Sequence, residues 1–349
     1  MPVGSRFAGR GPTSSRPTNR GPRTARPFPP PPRSCMRRAM LAYLARTARW
    51  GLELFWLLAK IMVPVMLAVR VAEILGLVDA LGTLVGPLMV PVGLPAGLGI
   101  AWVACLLVGP PAGIAAMAVL AEPLTTAQVS NFATMMLIAH ALPLESAIVA
   151  RAGGSFWANV ALRAGGAYAF GVLANLFFMA TGWLSDPVDL SGLGGGGDAS
   201  WAGWLMASLE LLLTIFAIIF ALLVLLDLME RTGVTALFVR ALRPLLRWVG
   251  LTEQTTPLVT IGMLLGLTYG AGLIIKEIED KGIPERPRAL ALSWLSLSHS
   301  VIEDTALVLV IGASPWVVLG GRLLFTLAVV RGIAWWRDVR GWDVARSTG

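Results

Sequence analysis

The sequence contains few cysteines, histidines and charged residues, and each shortage excludes a class of protein. Of its 349 residues, two are cysteine, two are histidine and 14% are charged. Cys35 lies in a basic stretch and Cys105 in an apolar one, which excludes a disulfide framework or a cysteine metal site. Motifs for a catalytic nucleophile, a metal hydrolase or a phosphate-binding loop are missing, so we predict no enzyme activity and no cofactor.

The chain is instead rich in long apolar stretches. Apolar residues make up 56% of the sequence, and the mean hydropathy is +0.73, far outside the range of soluble domains. Apolar stretches of roughly 20 residues, the length that crosses a ~30 Å hydrocarbon core, recur between about positions 52 and 336. Eight such segments can be counted. We therefore predict an all-α, polytopic membrane protein with membrane lipid as its surroundings.

The beginning of the chain has a different composition. Eleven arginines and no acidic residue precede Glu53, and residues 1–38 are rich in Pro, Arg, Ser and Gly. No apolar run occurs there, which predicts a disordered basic tail rather than a signal peptide. Met36 and Met40 are alternative starts. Such a tail could touch nucleic acid or anionic lipid, but we favour a solvated extension with no nucleic-acid partner.

The sequence carries an internal duplication. An offset of 159 pairs six positions: His140 with His299, Glu145 with Asp304, Gly153 with Gly312, Ser155 with Ser314, Trp157 with Trp316 and Arg163 with Arg322. Upstream, an offset of 157 pairs Glu53 with Glu210, Gly109 with Gly266 and Gly113 with Gly270. We predict membrane repeats over 39–182 and 204–337, a Gly- and Asp-rich linker over 183–203, and a cytoplasmic tail over 338–349.

Basic residues indicate how the repeats are oriented. The linker contains no Lys or Arg, whereas Arg231, Arg240 and Arg243 follow the next apolar segment. Since basic loops stay in the cytoplasm, the linker should lie outside, and both termini inside, a bacterial inner membrane. The repeats are then inverted, and each needs an odd number of crossings. We predict six full spans and two re-entrant hairpins, over 97–119 and 257–276, where Gly and Pro break the helix.

Ionisable residues inside apolar segments mark the candidate site, because they are costly in lipid. Inversion would bring the motif around His140 and Glu145 together with the motif around His299, near the midplane of the membrane. On a helix, His299 and Glu303 would share a face. The set could bind a divalent metal ion through His140, Glu145, His299 and Asp304, relay protons, hydrogen-bond a nucleoside, or only fix helix packing.

Other polar or small residues are weaker candidates. Tyr269, Gly270 and Gly272 could face a ligand or allow close helix packing. Lys276 and Glu277 are candidates for gating, although solvation at a hairpin exit explains them as well. The full set of predicted substrate- or ion-binding residues is His140, Glu145, Tyr269, Gly270, Gly272, His299, Ser300, Glu303, Asp304 and Thr305. Arg163 and Arg322 could pair with the carboxylates or extend to the membrane interface, and we slightly favour the interface.

Three motifs resemble those of the nucleoside-recognition, or gate, family of membrane proteins. They are Ala-His-Ala-Leu-Pro-Leu-Glu at 139–145, Tyr-Gly-Ala-Gly-Leu-Ile-Ile-Lys-Glu at 269–277 and His-Ser-Val-Ile-Glu-Asp-Thr at 299–305. The resemblance implies the gate fold shared by concentrative nucleoside transporters, the membrane part of ferrous iron transporter B and spore maturation proteins. Unlike ferrous iron transporter B, the chain has no G-x-x-x-x-G-K-[ST] phosphate loop.

The resemblance leaves the function open among three hypotheses. The first is a transporter-like protein with a midplane site for a small polar solute such as a nucleoside. The second is a carrier that uses the same histidines and carboxylates for a divalent metal ion or for protons. The third is a non-transporting membrane scaffold that assembles with a partner protein or with a second copy of itself.

Overall fold

A computed structural model describes residues 85–120, 123–190 and 200–339, together with scattered positions between 49 and 76. The chain divides into two units, residues 1–45 and residues 46–349, and all described residues belong to the second. The predicted basic tail, residues 191–199 of the linker and residues 340–349 lie outside the described part. So do several side chains within helices, including that of Tyr269.

The described residues are helical and include no strand, which confirms the predicted all-α class. From residue 98 onward they form eleven α-helices and a short 3-10 helix at Glu253–Thr255, and a π-helical turn at Trp316–Gly321 leads into the last α-helix. The helices are α1 (Leu98–Leu107), α2 (Pro110–Leu120), α3 (Thr126–Ile138), α4 (Leu142–Arg151), α5 (Phe156–Thr181), α6 (Trp201–Arg231), α7 (Val234–Trp248), α8 (Thr256–Lys281), α9 (Glu285–Leu297), α10 (Glu303–Leu309) and α11 (Arg322–Val339).

Equivalent positions of the duplicated sequence have the same local structure. Helices α3 and α9 begin and end at residues separated by the offset of 159. Ala141 and Ser300, also equivalent, have left-handed φ angles of 43° and 44°, which are uncommon for residues other than glycine. Gly153 and Gly312 both have a φ of 86°. The backbone around the two histidine motifs is therefore repeated, including its unusual conformations.

The helices are interrupted at both histidine motifs. Helix α3 ends before His140, and α9 ends at Leu297, so His299 lies in the segment that joins α9 to α10. The prediction that His299 and Glu303 share a helix face is therefore wrong. The backbone N–H groups of Ser300 and Val301 instead donate to the carbonyls of Gly262 and Met263, at 3.2 and 2.9 Å.

Those two carbonyls belong to a helix that is itself broken. Gly266 in α8 has a φ of 75° and a ψ of 178°, a conformation that essentially only glycine adopts. A Cβ atom at Gly270 would lie 3.2 Å from Ile261 Cγ2, which shows that the chain bends back at this break. The sequence placed a glycine break at this position, and the structure has one there.

Helices α1 and α2 form the corresponding pair in the first half. They flank Gly109, and a Cβ atom at Gly113 would lie 2.8 Å from Cys105 Cβ, so the two helices pack closely. With 10 and 11 residues, each is about 15 Å long at a rise of ~1.5 Å per residue. That is half of a ~30 Å hydrocarbon core.

Three helical stretches of the described chain are long and apolar enough to cross a membrane. They are Thr126–Arg151, which joins α3 and α4, Phe156–Thr181 and Trp316–Val339. The first is the most enclosed, with 78% of its apolar window buried, whereas the second is only 17% buried and exposes large apolar side chains. These stretches identify a helical membrane protein, while the six spans and the inversion stay predictions.

Candidate functional site

His140 and His299 meet in the interior of the molecule. Their Nε2 atoms are 3.0 Å apart, their ring centroids 4.8 Å apart, and the two residues are 5% and 1% exposed. The two histidines occupy equivalent positions of the duplicated sequence. A direct contact between equivalent residues is what a local two-fold axis passing between the rings would produce.

The hydrogen bonds of the two rings fix their tautomers. His140 Nδ1 lies 3.0 Å from the carbonyl oxygen of Met136, and His299 Nδ1 lies 2.6 Å from that of Leu295. A carbonyl oxygen only accepts, so each Nδ1 carries a proton and donates it. Each neutral ring then presents an Nε2 lone pair. At 3.0 Å these lone pairs repel each other unless the two rings share a proton or a metal cation.

Glu145 faces both histidines. Its Oε1 atom lies 3.5 Å from His140 Nε2 and 3.3 Å from His299 Nε2, and it accepts a hydrogen bond from Thr268 Oγ1 at 3.4 Å. Its Oε2 atom forms an ion pair with Arg163 Nη1. The ligand atoms of His140, Glu145 and His299 all lie within 4.8 Å of one another, and the three residues are buried.

The two arginines of the duplicated motif are buried, so the prediction that they extend to the membrane interface is wrong. Arg163 and Arg322 are 0% and 2% exposed. Arg163 Nε donates to the carbonyl of Ile138 at 3.0 Å, and Arg322 Nε donates to that of Leu297 at 2.9 Å. Ile138 and Leu297 are the last residues of α3 and α9. A helix end inside the protein leaves carbonyls without partners, and a guanidinium satisfies them where water is absent.

The second half of the site differs from the first. Asp304, the counterpart of Glu145, is one methylene shorter, and it is not one of the three grouped residues. Within the described chain, Asp304 Oδ2 and Arg322 Nη1 have no hydrogen-bond partner, and neither do Thr305 Oγ1 and Ser298 Oγ. Buried polar atoms without partners are costly. The centre is therefore asymmetric, with a closed ion pair on one side only.

The structure places the remaining candidates as follows. Ser300 is buried and its backbone binds α8, while Glu303 is partly exposed at the start of α10. Gly270 is buried against Ile261, so close packing explains why a residue without a side chain stands there. Gly272 is exposed, and a Cβ atom there would meet nothing within 4 Å. Lys276 is exposed, and Glu277 forms an ion pair with Lys281 at 2.5 Å, so neither is joined to the histidines by a hydrogen bond or ion pair.

The sequence analysis missed one polar residue that contacts the site and three that lie beside it. Thr268 contacts Glu145, and Ser146, Asn159 and Ser296 form a buried hydrogen-bonded chain beside it. Single Ser, Thr and Asn residues are common within membrane helices, so none is conspicuous by itself. A usable signal was that Asn159 precedes Arg163 by four residues, which places both on one helix face.

These features define a helical membrane protein with a buried polar centre built from two similar motifs. Residues 212–315 match the model of the Gate family, described as nucleoside recognition, which confirms over this stretch the resemblance seen in the motifs. The matched stretch contains His299 and Asp304 and ends before α11. His140 and Glu145 lie outside it, in the first half of the duplication.

A curated relative extends the similarity over most of the chain. The chain is 29% identical over 303 residues to an uncharacterized membrane protein, YvoD, of Bacillus subtilis (strain 168). The matched region covers 86% of this chain and 95% of the relative. No solved structure matches the chain. The similarity supports a membrane protein and indicates no substrate.

Proposed function

We propose that the protein is a membrane carrier whose residues His140, His299 and Glu145 bind a divalent transition-metal cation of the Zn²⁺ type. The observation that carries this proposal is the pair of Nε2 lone pairs, 3.0 Å apart and flanked by a carboxylate oxygen. Two imidazoles and one carboxylate, with a fourth position left for water, are a ligand set that suits zinc.

The spacing of the three ligand atoms supports this choice. In a tetrahedral site with metal–ligand bonds of ~2.05 Å, neighbouring ligand atoms lie about 3.3 Å apart. The three separations are 3.0, 3.3 and 3.5 Å. Both Nδ1 atoms are held by carbonyls and the second oxygen of Glu145 by Arg163, which orients all three ligands before a cation arrives.

The charges around the site suit transient binding. Arg163 neutralises Glu145, so the three ligands and this arginine together carry no net charge when both imidazoles are neutral. A divalent cation therefore enters a site that is not strongly negative. A carrier must release its cargo, and moderate affinity favours release.

The membrane arrangement is part of the proposal. Six spans and two re-entrant hairpins in an inverted repeat would place the histidine pair near the midplane of a bacterial inner membrane, with both termini in the cytoplasm. The contact between equivalent histidines and the short lengths of α1 and α2 support this arrangement.

A small polar solute, such as a nucleoside, is the second candidate cargo. It is favoured by the unpartnered Asp304 Oδ2, Arg322 Nη1 and Thr305 Oγ1 atoms, which could hydrogen-bond to such a molecule. The description of the Gate family points the same way. A scaffold would bind neither class of ligand.

The test is a titration of the full chain in lipid nanodiscs, after chelator treatment, with Zn²⁺ followed by calorimetry and Co²⁺ followed by visible absorption. We expect one site per chain. His140→Ala and His299→Ala should each weaken binding by more than about 100-fold, because a ligand is lost outright. Glu279→Gln, which removes an exposed acidic group of α8, is the control and should change nothing.

Equal binding by wild type and both histidine variants would contradict the proposal, as would no binding by wild type. A panel of nucleosides in the same preparation separates the alternatives. Binding of a nucleoside without binding of a cation would favour the second candidate, and no binding of either class would favour the scaffold.

A further inference from the structure

A cavity of about 330 Å³ lies where α5 begins, next to the end of α4 and the start of α9. Its lining includes Ser155, Asn159, Leu292, Ser293, Ser296 and Arg337. We call it the Asn159 cavity. Gly153, Gly154 and Ser155 on its rim are exposed, whereas Asn159 and Ser296 are 4% and 1% exposed. The cavity thus runs from the surface of the molecule to buried polar groups.

A hydrogen-bonded polar chain continues from the buried end of this cavity. Ser296 Oγ donates to Asn159 Oδ1, and Asn159 Nδ2 donates to Ser146 Oγ at 2.9 Å. Ser146 is 0% exposed. The three residues come from α9, α5 and α4, so the chain joins elements of both halves of the duplication.

Each member of the polar chain is close in sequence to a ligand of the cation site or to Arg163, the partner of Glu145. Ser146 directly follows Glu145. Asn159 lies one helical turn before Arg163, and Ser296 lies three residues before His299. Helices α4 and α5 thus each hold one residue of the polar chain and one residue of the Glu145–Arg163 ion pair, and α9, which holds Ser296, ends two residues before His299. The polar chain therefore lies beside the site.

The opposite end of α5 has a cavity without such a connection. This second cavity, of about 240 Å³, is lined by Gly93, Gln128, Asn131, Asn175 and Trp183, among others, and we call it the Asn175 cavity. Asn175 lies 16 residues along α5 from Asn159, about 24 Å at ~1.5 Å per residue.

Helix α3 runs from the Asn175 cavity toward His140, and its last turn is apolar. Asn131, at its buried end, donates to the carbonyls of Val92 and Gly171 at 2.8 and 2.9 Å, and not toward the site. Between Asn131 and His140, helix α3 buries Met135, Met136, Leu137 and Ile138 completely. Polar groups thus lie beside the site in the direction of the Asn159 cavity, whereas the last turn of α3 is apolar in the direction of the Asn175 cavity.

We infer, building on the proposed function, that the Asn159 cavity is the access vestibule of the cation site, and that Ser296, Asn159 and Ser146 pass the cation to it. A divalent cation that leaves water needs other oxygen ligands, and these residues offer two hydroxyls and an amide carbonyl in succession. Arg151 and Arg288 lie at this end, which the charge rule assigns to the cytoplasm. This structure is then the state in which the site faces the cytoplasm.

The first test measures how fast Co²⁺ reaches the site of the full chain in nanodiscs, by stopped-flow absorption. Asn159→Leu removes the central oxygen and should slow arrival by at least about tenfold, while the equilibrium affinity and the Co²⁺ spectrum stay as in wild type. Asn175→Leu changes the same residue type on the same helix, in the other cavity. Co²⁺ should reach the site of this variant at the wild-type rate. Equal rates for both variants, or slowing only by Asn175→Leu, would overturn the inference.

The second test needs no metal. In a chain with Cys35→Ser and Cys105→Ala, Ser296→Cys should react with a membrane-impermeant thiol reagent from the cytoplasmic face. Thr134→Cys, buried on α3 toward the other end, should react from neither face. An unreactive Ser296→Cys overturns the access route even if wild type binds Co²⁺. No Co²⁺ binding by wild type overturns the proposed function, and the cation route with it, whatever the labelling.

Discussion

At the scale of the residue, two buried arginine side chains bind the helix ends that precede the two histidines. Arg163 and Arg322 bind the last carbonyls of α3 and α9, and Arg322 also donates to the carbonyl of Leu137 at 2.7 Å, across the duplication. A guanidinium suits this role because it stays charged and carries five donors in a fixed geometry. Only Arg163 is also paired with a carboxylate, that of Glu145. The two arginines should therefore depend on their carboxylates to different degrees.

Glu145→Gln should lower the free energy of unfolding by about 3 to 5 kcal/mol, because it leaves Arg163 buried without its counter-charge. Asp304→Asn, the matched change in the second repeat, should cost about 1 kcal/mol or less, since Asp304 Oδ2 has no hydrogen-bond partner in the described structure. Unfolding in mixed detergent and dodecyl sulfate measures both. An equal loss in the two variants would show that the asymmetry between Glu145 and Asp304 has no energetic counterpart.

At the scale of the element, interrupted helices create the site. The breaks at 139–141 and 298–302 bring each histidine out of its helix, and the break at Gly266 releases the carbonyls of Gly262 and Met263. Those carbonyls then bind the backbone of the segment that follows His299. The backbone groups freed at one helix break therefore hydrogen-bond to those freed at the other. Because the two breaks depend on each other, Gly266 is required for the structure.

Gly266→Ala should destabilise the protein by roughly 1 to 3 kcal/mol, because alanine is strained at a φ of 75° and its Cβ would overlap Ser300 Oγ. Gly272→Ala, six residues further along α8, is the matched control. Its Cβ would meet nothing within 4 Å, so helix propensity should leave stability unchanged or raise it by about 0.5 to 1 kcal/mol. Melting temperatures in one detergent compare the two, and a milder effect at Gly266 than at Gly272 would contradict this account.

At the scale of the whole molecule, the pairing of equivalent histidines points to two similar halves that face each other across a two-fold axis. An axis in the plane of the membrane would make the halves inverted. The hydrogen bonds of Arg322 to Leu137 and of Ser314 N–H to Ser130 Oγ, at 2.7 Å each, also join the two halves. The centre is thus held by contacts between the repeats, and neither repeat contains a complete site.

Inversion predicts that the linker and the C-terminal tail lie on opposite sides of the membrane. In the cysteine-free background, Gly194→Cys should react with an impermeant thiol reagent only from outside. Ser347→Cys should react only after the membrane is permeabilised. Labelling of both from the same side would exclude the inverted arrangement, although it would leave the local contact of the two histidines intact.

The sequence alone located the two histidine motifs and the glycine breaks, because these depend on local residue types and on a repeat that needs no structure to detect. It misjudged the arginines and the shared face of His299 and Glu303. The reason is that helix continuity through His299 was assumed, whereas the N–H groups of Ser300 and Val301 bind α8 instead. Long-range backbone pairing of this kind leaves no periodic signal in a sequence.

What the sequence determined by itself is therefore the class of the protein, since apolar length and scarce charge dictate membrane helices regardless of how they pack. Its glycines and its repeat also determined where the helices break. That the two Nε2 atoms face each other, and that Glu145 rather than Asp304 lies beside them, follows from the packed structure and not from the residues alone. Those outcomes depend on distances between residues far apart in the chain, and such distances are set by packing of the whole bundle.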